Sequence, residues 1–131
     1  MDERTFKERT KKFSLAVMSL IESLPRNRTS DVIGRQLLRS ATSVGANYRS
    51  ACRGRSTLDV IAKLGIVEEE ADESVYWIEL LTDSKIVKAK QIAPLVKEAN
   101  EIIAMTVASI KTLRAKNRTQ EAAPSNPKSK I

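Results

Sequence analysis

Apolar residues recur at three- and four-residue spacing along almost the whole chain, and no stretch alternates with period two. Such a sequence builds helices and leaves no strand to start a sheet. The first helical segment runs from about Glu3 to Ser23, with Phe6, Thr10, Phe13, Val17, Leu20 and Leu24 along one face. Pro25 ends it, because the residue before a proline is pushed out of the helical region. A second helix is expected from a cap at Thr29 or Ser30 to about Arg53, with Gly54 as its stop. Ser56 caps a third through about Thr82, with Asp59 suited to its positive end. A fourth follows a linker near residues 83–90 and ends about Lys116; Pro94 is tolerable only in an opening turn, which moves the expected start toward Ala93.

Four such helices with short connections predict an all-α, antiparallel up-down-up-down bundle over residues 1–116, an open-faced all-α arrangement being the alternative. Residues 117–131 hold two prolines and no apolar periodicity, and read as a disordered C-terminal tail. At 131 residues the chain makes one domain.

Several chemistries fall away on composition. There is no histidine, which removes Ser-His-Asp and Cys-His catalysis and His-containing zinc sites. Cys52 is the single cysteine, so no internal disulfide can form; a packed thiol is the plainer reading than a reactive one. Glu68, Glu69, Glu70, Asp72 and Glu73 are a charged helix face, since no histidine-bearing or EF-hand pattern accompanies them. Gly34, Gly45, Gly54 and Gly65 are isolated and make no phosphate loop. The expectation is no enzyme, no metal and no cofactor. No apolar run approaches a membrane span, and the start lacks the apolar core of a signal peptide, which points to a cytoplasmic protein.

Charge is divided unevenly. The net charge is +7, yet residues 56–83 carry eight acids against Lys63 alone, while residues 1–55 carry 12 basic and 5 acidic groups. On the second helix, Ile33, Leu37, Ser40, Val44, Tyr48 and Ala51 form the core line. Opposite them lie Arg35, Arg39, Thr42, Ala46, Arg49 and Arg53. Four arginines on one stripe, parted by small residues, suit phosphates or carboxylates; Lys11 and Lys12 stand as supporting cations. The candidate activity is binding of RNA or DNA through the phosphate backbone. In the third helix, Val60, Leu64, Val67, Ala71, Val75 and Ile78 face inward. Ile66, Tyr76, Trp77 and Leu80 fall on the far side among Glu69, Glu70 and Glu73. A helix apolar on both sides is expected to meet another subunit, with Ile66, Glu69, Glu73, Tyr76, Trp77 and Leu80 at that interface. A second functional reading makes the protein a scaffold whose arginines pair with acids of neighbouring subunits or of a partner protein.

The stretch QLLRSATSVGANYRSACRGRS (Gln36–Ser56), followed by KLGIVEEEADESVYWIELL (Lys63–Leu81), resembles the 23S rRNA intervening-sequence protein family, also called bacterial four helix bundle proteins. The likeness extends from about Phe6 to Leu113. Where much of the family reads NIAEG, Asn47-Tyr48-Arg49-Ser50-Ala51 stands here. The resemblance implies a short antiparallel bundle assembled as a ring-shaped homopentamer, with no catalytic residues to carry over. The family is also similar in fold to the accessory proteins of diversity-generating retroelements, basic pentamers that bind nucleic acid and a reverse transcriptase.

Overall fold

Side-chain caps set three of the four helix starts in this computed structural model, which describes residues 2–122. Helix α1 spans Glu3–Glu22, α2 Arg28–Cys52, α3 Thr57–Asp83 and α4 Ala89–Ala122. The Asp2 carboxylate accepts the backbone N–H of Thr5, Asn27 that of Ser30, and Ser56 that of Asp59. Ser56 caps α3 as its position predicts. For α2 the expected cap, Thr29 or Ser30, gives way to Asn27, whose side-chain oxygen lies 2.8 Å from the Ser30 nitrogen. Asparagine caps as well as serine and comes first after Pro25, so the helix begins earlier and Ser30 is carried into its buried face.

Helix α3 stops in a left-handed residue that is not glycine. Lys85 has φ 63°, the Ile86 N–H donates to the Leu81 carbonyl, and the Lys85 N–H donates to that of Thr82. This is a Schellman closure, which favours glycine at the position Lys85 holds. Lys85→Gly is therefore expected to raise stability by about 0.5–1 kcal/mol, with relief of the Cβ clash exceeding the added freedom of the unfolded chain. A thermal melt that moves downward contradicts it. Gly54 has no positive φ, so it is not the left-handed stop that its position suggests. It is needed for space: a Cβ there would sit 2.3 Å from Val60 Cγ2.

Helix α4 departs from expectation at both ends. It starts at Ala89, so Pro94 lies in its second turn, where the unpaired Lys90 carbonyl can reach water because both residues are exposed. It also continues through residues 117–122, which the sequence reading assigned to a tail. Arg118, Gln120, Glu121 and Ala122 are strong helix formers, and the Asn117 side-chain amide donates to Glu121 at 3.1 Å one turn later. Residues 123–131 of the expected tail lie outside the described residues.

The result is an all-α four-helix bundle. Sequential helices pack on one another and α4 returns to α1, while the diagonal pairs α1/α3 and α2/α4 make no close backbone approach among the described residues. The core is built from the predicted faces of the first three helices and one face of α4: Phe6, Phe13 and Val17 of α1, Leu37 and Val44 of α2, Val67, Ala71 and Ile78 of α3, and Ala99 and Ile102 of α4 are all 1% exposed or less. Phe6 meets Tyr48 edge to face, with ring centroids 4.6 Å apart, at the end where α1 begins and α2 finishes. Ser40 and Ser74 share a buried hydrogen bond of 2.9 Å where α2 and α3 approach closely. The α1–α4 seam is the sparsest. Arg9 spans it, donating to Glu98 at 3.0 and 2.6 Å and to Glu101 at 2.7 Å.

Candidate functional site

Helix α2 buries one face completely and leaves the opposite one in solvent. Arg35, Arg39, Thr42, Ala46, Arg49 and Arg53 are all exposed, so the stripe read from the sequence is present along nearly the whole helix. From Arg35 to Arg53 it runs about 27 Å at the helical rise. Its four arginines differ in what holds them. Arg35 Nε approaches the Asp31 carbonyl of its own helix at 3.5 Å and has no carboxylate partner among the described residues. Arg49 and Arg53 likewise make no ion pair among the described residues, and Arg53 forms the C-cap of α2.

Arg39 is different. Its guanidinium donates to Glu73 at 2.7 Å and to Glu70 at 3.2 Å, both on α3. Arg39 holds the Glu73 carboxyl below the usual glutamate range, and the Trp77 indole N–H reinforces the shift. The acids of α3 and this arginine of α2 thus pair inside one chain, where the scaffold reading had them pairing across a subunit boundary. Short distance along the hairpin explains it: Arg39 and Glu70 stand nearly equally far from the turn at residues 53–56, so the antiparallel fold brings them together.

The two supporting lysines part company. Lys11 joins Arg4, Lys7 and Arg49 in a shallow cleft between α1 and α2, with Glu3 and Glu8 also on its walls. Lys12 instead borders the groove between α1 and α4, beside Phe13, Pro94, Leu95 and Glu98. The structure therefore puts Lys11 with the arginine stripe and leaves Lys12 on another side of the bundle. One helical step of 100° separates them, enough to send neighbouring residues to different seams.

On α3 the outward residues sit as the wheel places them, with gradations. Ile66 is 40% and Tyr76 52% exposed, and Glu69 is exposed as well. Glu73, Trp77 and Leu80 are half-buried. Trp77 Nε1 donates to Glu73 Oε1 at 3.3 Å, and its ring meets Tyr76 edge to face at 5.1 Å. An aromatic pair therefore stands on the surface, tied through Glu73 to Arg39 of α2.

Cys52 is half-buried beside Tyr48, and burial, with Glu3 nearby, pushes its thiol up despite Lys7. A protonated, packed thiol is a poor nucleophile. Among the described residues no three cysteine or carboxylate side chains converge as a metal site, and no helix is long and apolar enough to cross a membrane. Sequence reasoning missed the Arg9 clasp with Glu98 and Glu101, whose partners are far away in the chain. It also missed the basic end of α4, which carries Lys111, Arg114, Lys116 and Arg118.

Comparison with known proteins agrees with this architecture. A crystal structure of a protein of unknown function from the S23 ribosomal protein family of Bacteroides thetaiotaomicron superposes with a TM-score of 0.79 at 32% identity, covering 85% of this chain and 99% of that one. No curated protein matches. The family profile described as 23S rRNA-intervening sequence protein matches residues 3–108, the whole of α1 to α3 and most of α4. The chain belongs to the 23S rRNA-intervening sequence protein family.

Proposed function

We propose that this protein is a non-enzymatic, cytoplasmic, oligomeric bundle that binds RNA or DNA through its phosphate backbone. One observation carries the reading: Arg35, Arg49 and Arg53 share an exposed line on α2, and none has a carboxylate partner among the described residues. Guanidinium groups left unpaired on a rigid helix are ready donors to phosphate oxygens. Lys11 beside Arg49 adds to the same field. Aromatic side chains play little part, because Phe6, Phe13 and Tyr48 are buried in the core and Tyr76 and Trp77 serve the subunit contact on α3; base stacking is not the mode. Arg39 is already matched to Glu70 and Glu73 and contributes least.

Assembly strengthens the effect. The exposed Ile66 and Tyr76, with half-buried Trp77 and Leu80, favour a subunit contact on α3, and the family resemblance favours a ring of five. Repeating a protomer of charge +7 around a ring multiplies the field and the number of phosphates met at once.

The test is fluorescence anisotropy of a labelled structured RNA and a labelled DNA duplex, titrated at low and at physiological salt. Binding should persist at physiological salt against bulk competitor, with log affinity falling linearly in log salt. Binding seen only at low salt reduces the charge to a generic attraction and removes the proposal.

A further inference from the structure

Helix α4 outruns the bundle. Its residues Thr112 and Leu113 line one groove with Ala51 and Cys52 of α2 and Val60 of α3, so Leu113 is level with the last turn of α2 and the first of α3. The nine further residues, 114–122, therefore project about 13 Å beyond that level. All but Asn117 are exposed, and Asn117 makes its hydrogen bond to Glu121 of the same arm. Lys111, Arg114 and Arg118 fall on one face at i, i+3 and i+7, and Lys116 stands on another.

The same end of the bundle holds the finish of α2 and the turn after it. Arg53 caps α2, Arg55 follows in the turn, and Arg49 lies one turn back, against Arg4 and Lys7 of α1. Nearby acids are largely taken up. Asp59 accepts from Lys63 at 3.2 Å and from the Arg55 backbone N–H at 3.0 Å, which together hold its carboxyl below the ordinary aspartate range. Glu3 lies 3.7 Å from Lys7, and Glu121 accepts from Asn117. Because α2 and α4 are diagonal in the bundle, their outward faces point away from each other along its length. The cations at the finish of α2 and those of the α4 arm lie at the same end of the bundle.

We infer that nucleic acid is held end-on: the projecting arm of α4 and the Arg53–Arg55 corner grip phosphates together, and the opposite end of the bundle, where Arg26 and Arg28 stand exposed, stays out of contact. This rests on the phosphate-binding reading above and gives it a place on the molecule. It also assigns the arm a reason to exist. A short polar helix with nothing packed on it is marginal alone, and a face of three like charges weakens it further. Phosphates on that face remove the repulsion, so binding and arm order are coupled.

Two variants decide the matter, measured by anisotropy with the same labelled RNA and duplex. The triple variant Arg114→Glu, Lys116→Glu, Arg118→Glu should weaken binding roughly 100-fold and lower the log–log salt slope by about 2–3. Arg28→Glu, at the opposite end of the bundle, should stay within about twofold of the parent protein. Amide hydrogen exchange gives a second readout, in which residues 114–122 exchange rapidly when free and slow down on adding nucleic acid. An arm variant that binds like the parent, an Arg28→Glu variant that is equally weakened, or a changed oligomer mass in the arm variant overturns the inference. If the arm is silent while Arg49 and Arg53 matter, nucleic-acid binding stands and only the end-on geometry fails. If the parent protein itself does not bind at physiological salt, both fail.

Discussion

Arg49→Glu combined with Arg53→Glu is expected to lower nucleic-acid affinity by roughly 100-fold or more at low salt, and to flatten its salt dependence by about two in the log–log slope. Both residues are exposed and make no ion pair among the described residues, so the substitutions remove phosphate donors without unpairing an acid. Fold stability should fall by about 0.5–1 kcal/mol for each substitution, because Arg49 lies in the last turn of α2 and Arg53 is its C-cap, where an acid opposes the helix dipole. Arg39→Glu makes the instructive contrast. Its charge is already offset by Glu70 and Glu73 at 3.2 and 2.7 Å, so little of it is available to a phosphate. Reversing it sets three acids together on the α2–α3 face and is expected to act on stability more than on binding. Anisotropy titrations beside thermal melts separate the two effects. Equal loss of affinity from Arg39→Glu and from the Arg49, Arg53 pair would mean that binding follows net charge alone, with no specific arginine surface.

The bundle was legible because burial there depends on local spacing. Phe6, Thr10, Phe13 and Val17 follow one another around a single face of α1, and all four are buried. The arginine stripe of α2 was legible for the same reason, as the complement of a narrow core line. Where a helix packs on two neighbours the wheel loses accuracy. On α3, Val60 and Val75 were expected inside but are half-buried, whereas Ile61 and Ser74 are buried. That helix lies between α2 and α4, so its buried arc is wide and its centre is set by both partners. Ser74 is inside because it meets Ser40, a pairing that no hydropathy scale suggests.

Charge partners were harder to read, since they depend on register between helices. Arg39 with Glu70 follows from the hairpin once the turn is placed at Gly54, whose lack of a Cβ lets Val60 close over it. Arg9 with Glu98 required knowing that α4 returns beside α1, and at what height. The end of α4 failed for a third reason. Residues 117–122 have no apolar stripe because they pack on nothing, and periodicity detects only helices that pack.

With the proposed subunit contact on α3, Trp77→Glu is expected to lower the mass of the oligomer while leaving helix content nearly unchanged. Trp77 is half-buried, so it is not a central prop of the bundle; that role belongs to Ile78, which is fully buried on the adjacent side. In the single chain its ring edge stands against Tyr76, and Tyr76 is 52% exposed, an unusual amount of aromatic surface to leave in water. A glutamate at this position loses the aromatic contact and the hydrogen bond to Glu73. It also places another carboxylate near Glu70 and Glu73, where only Arg39 balances charge. Burying that carboxylate against a second subunit would cost several kcal/mol, enough to outweigh a contact built on Ile66, Tyr76 and Leu80. Light scattering coupled to size exclusion reads the mass, and circular dichroism reads the helices. An unchanged mass places the subunit contact on another face. A lower mass with retained helix also explains why α3, alone among the four helices, carries an exposed aromatic side chain, Tyr76, with Trp77 packed at the core's edge beside it.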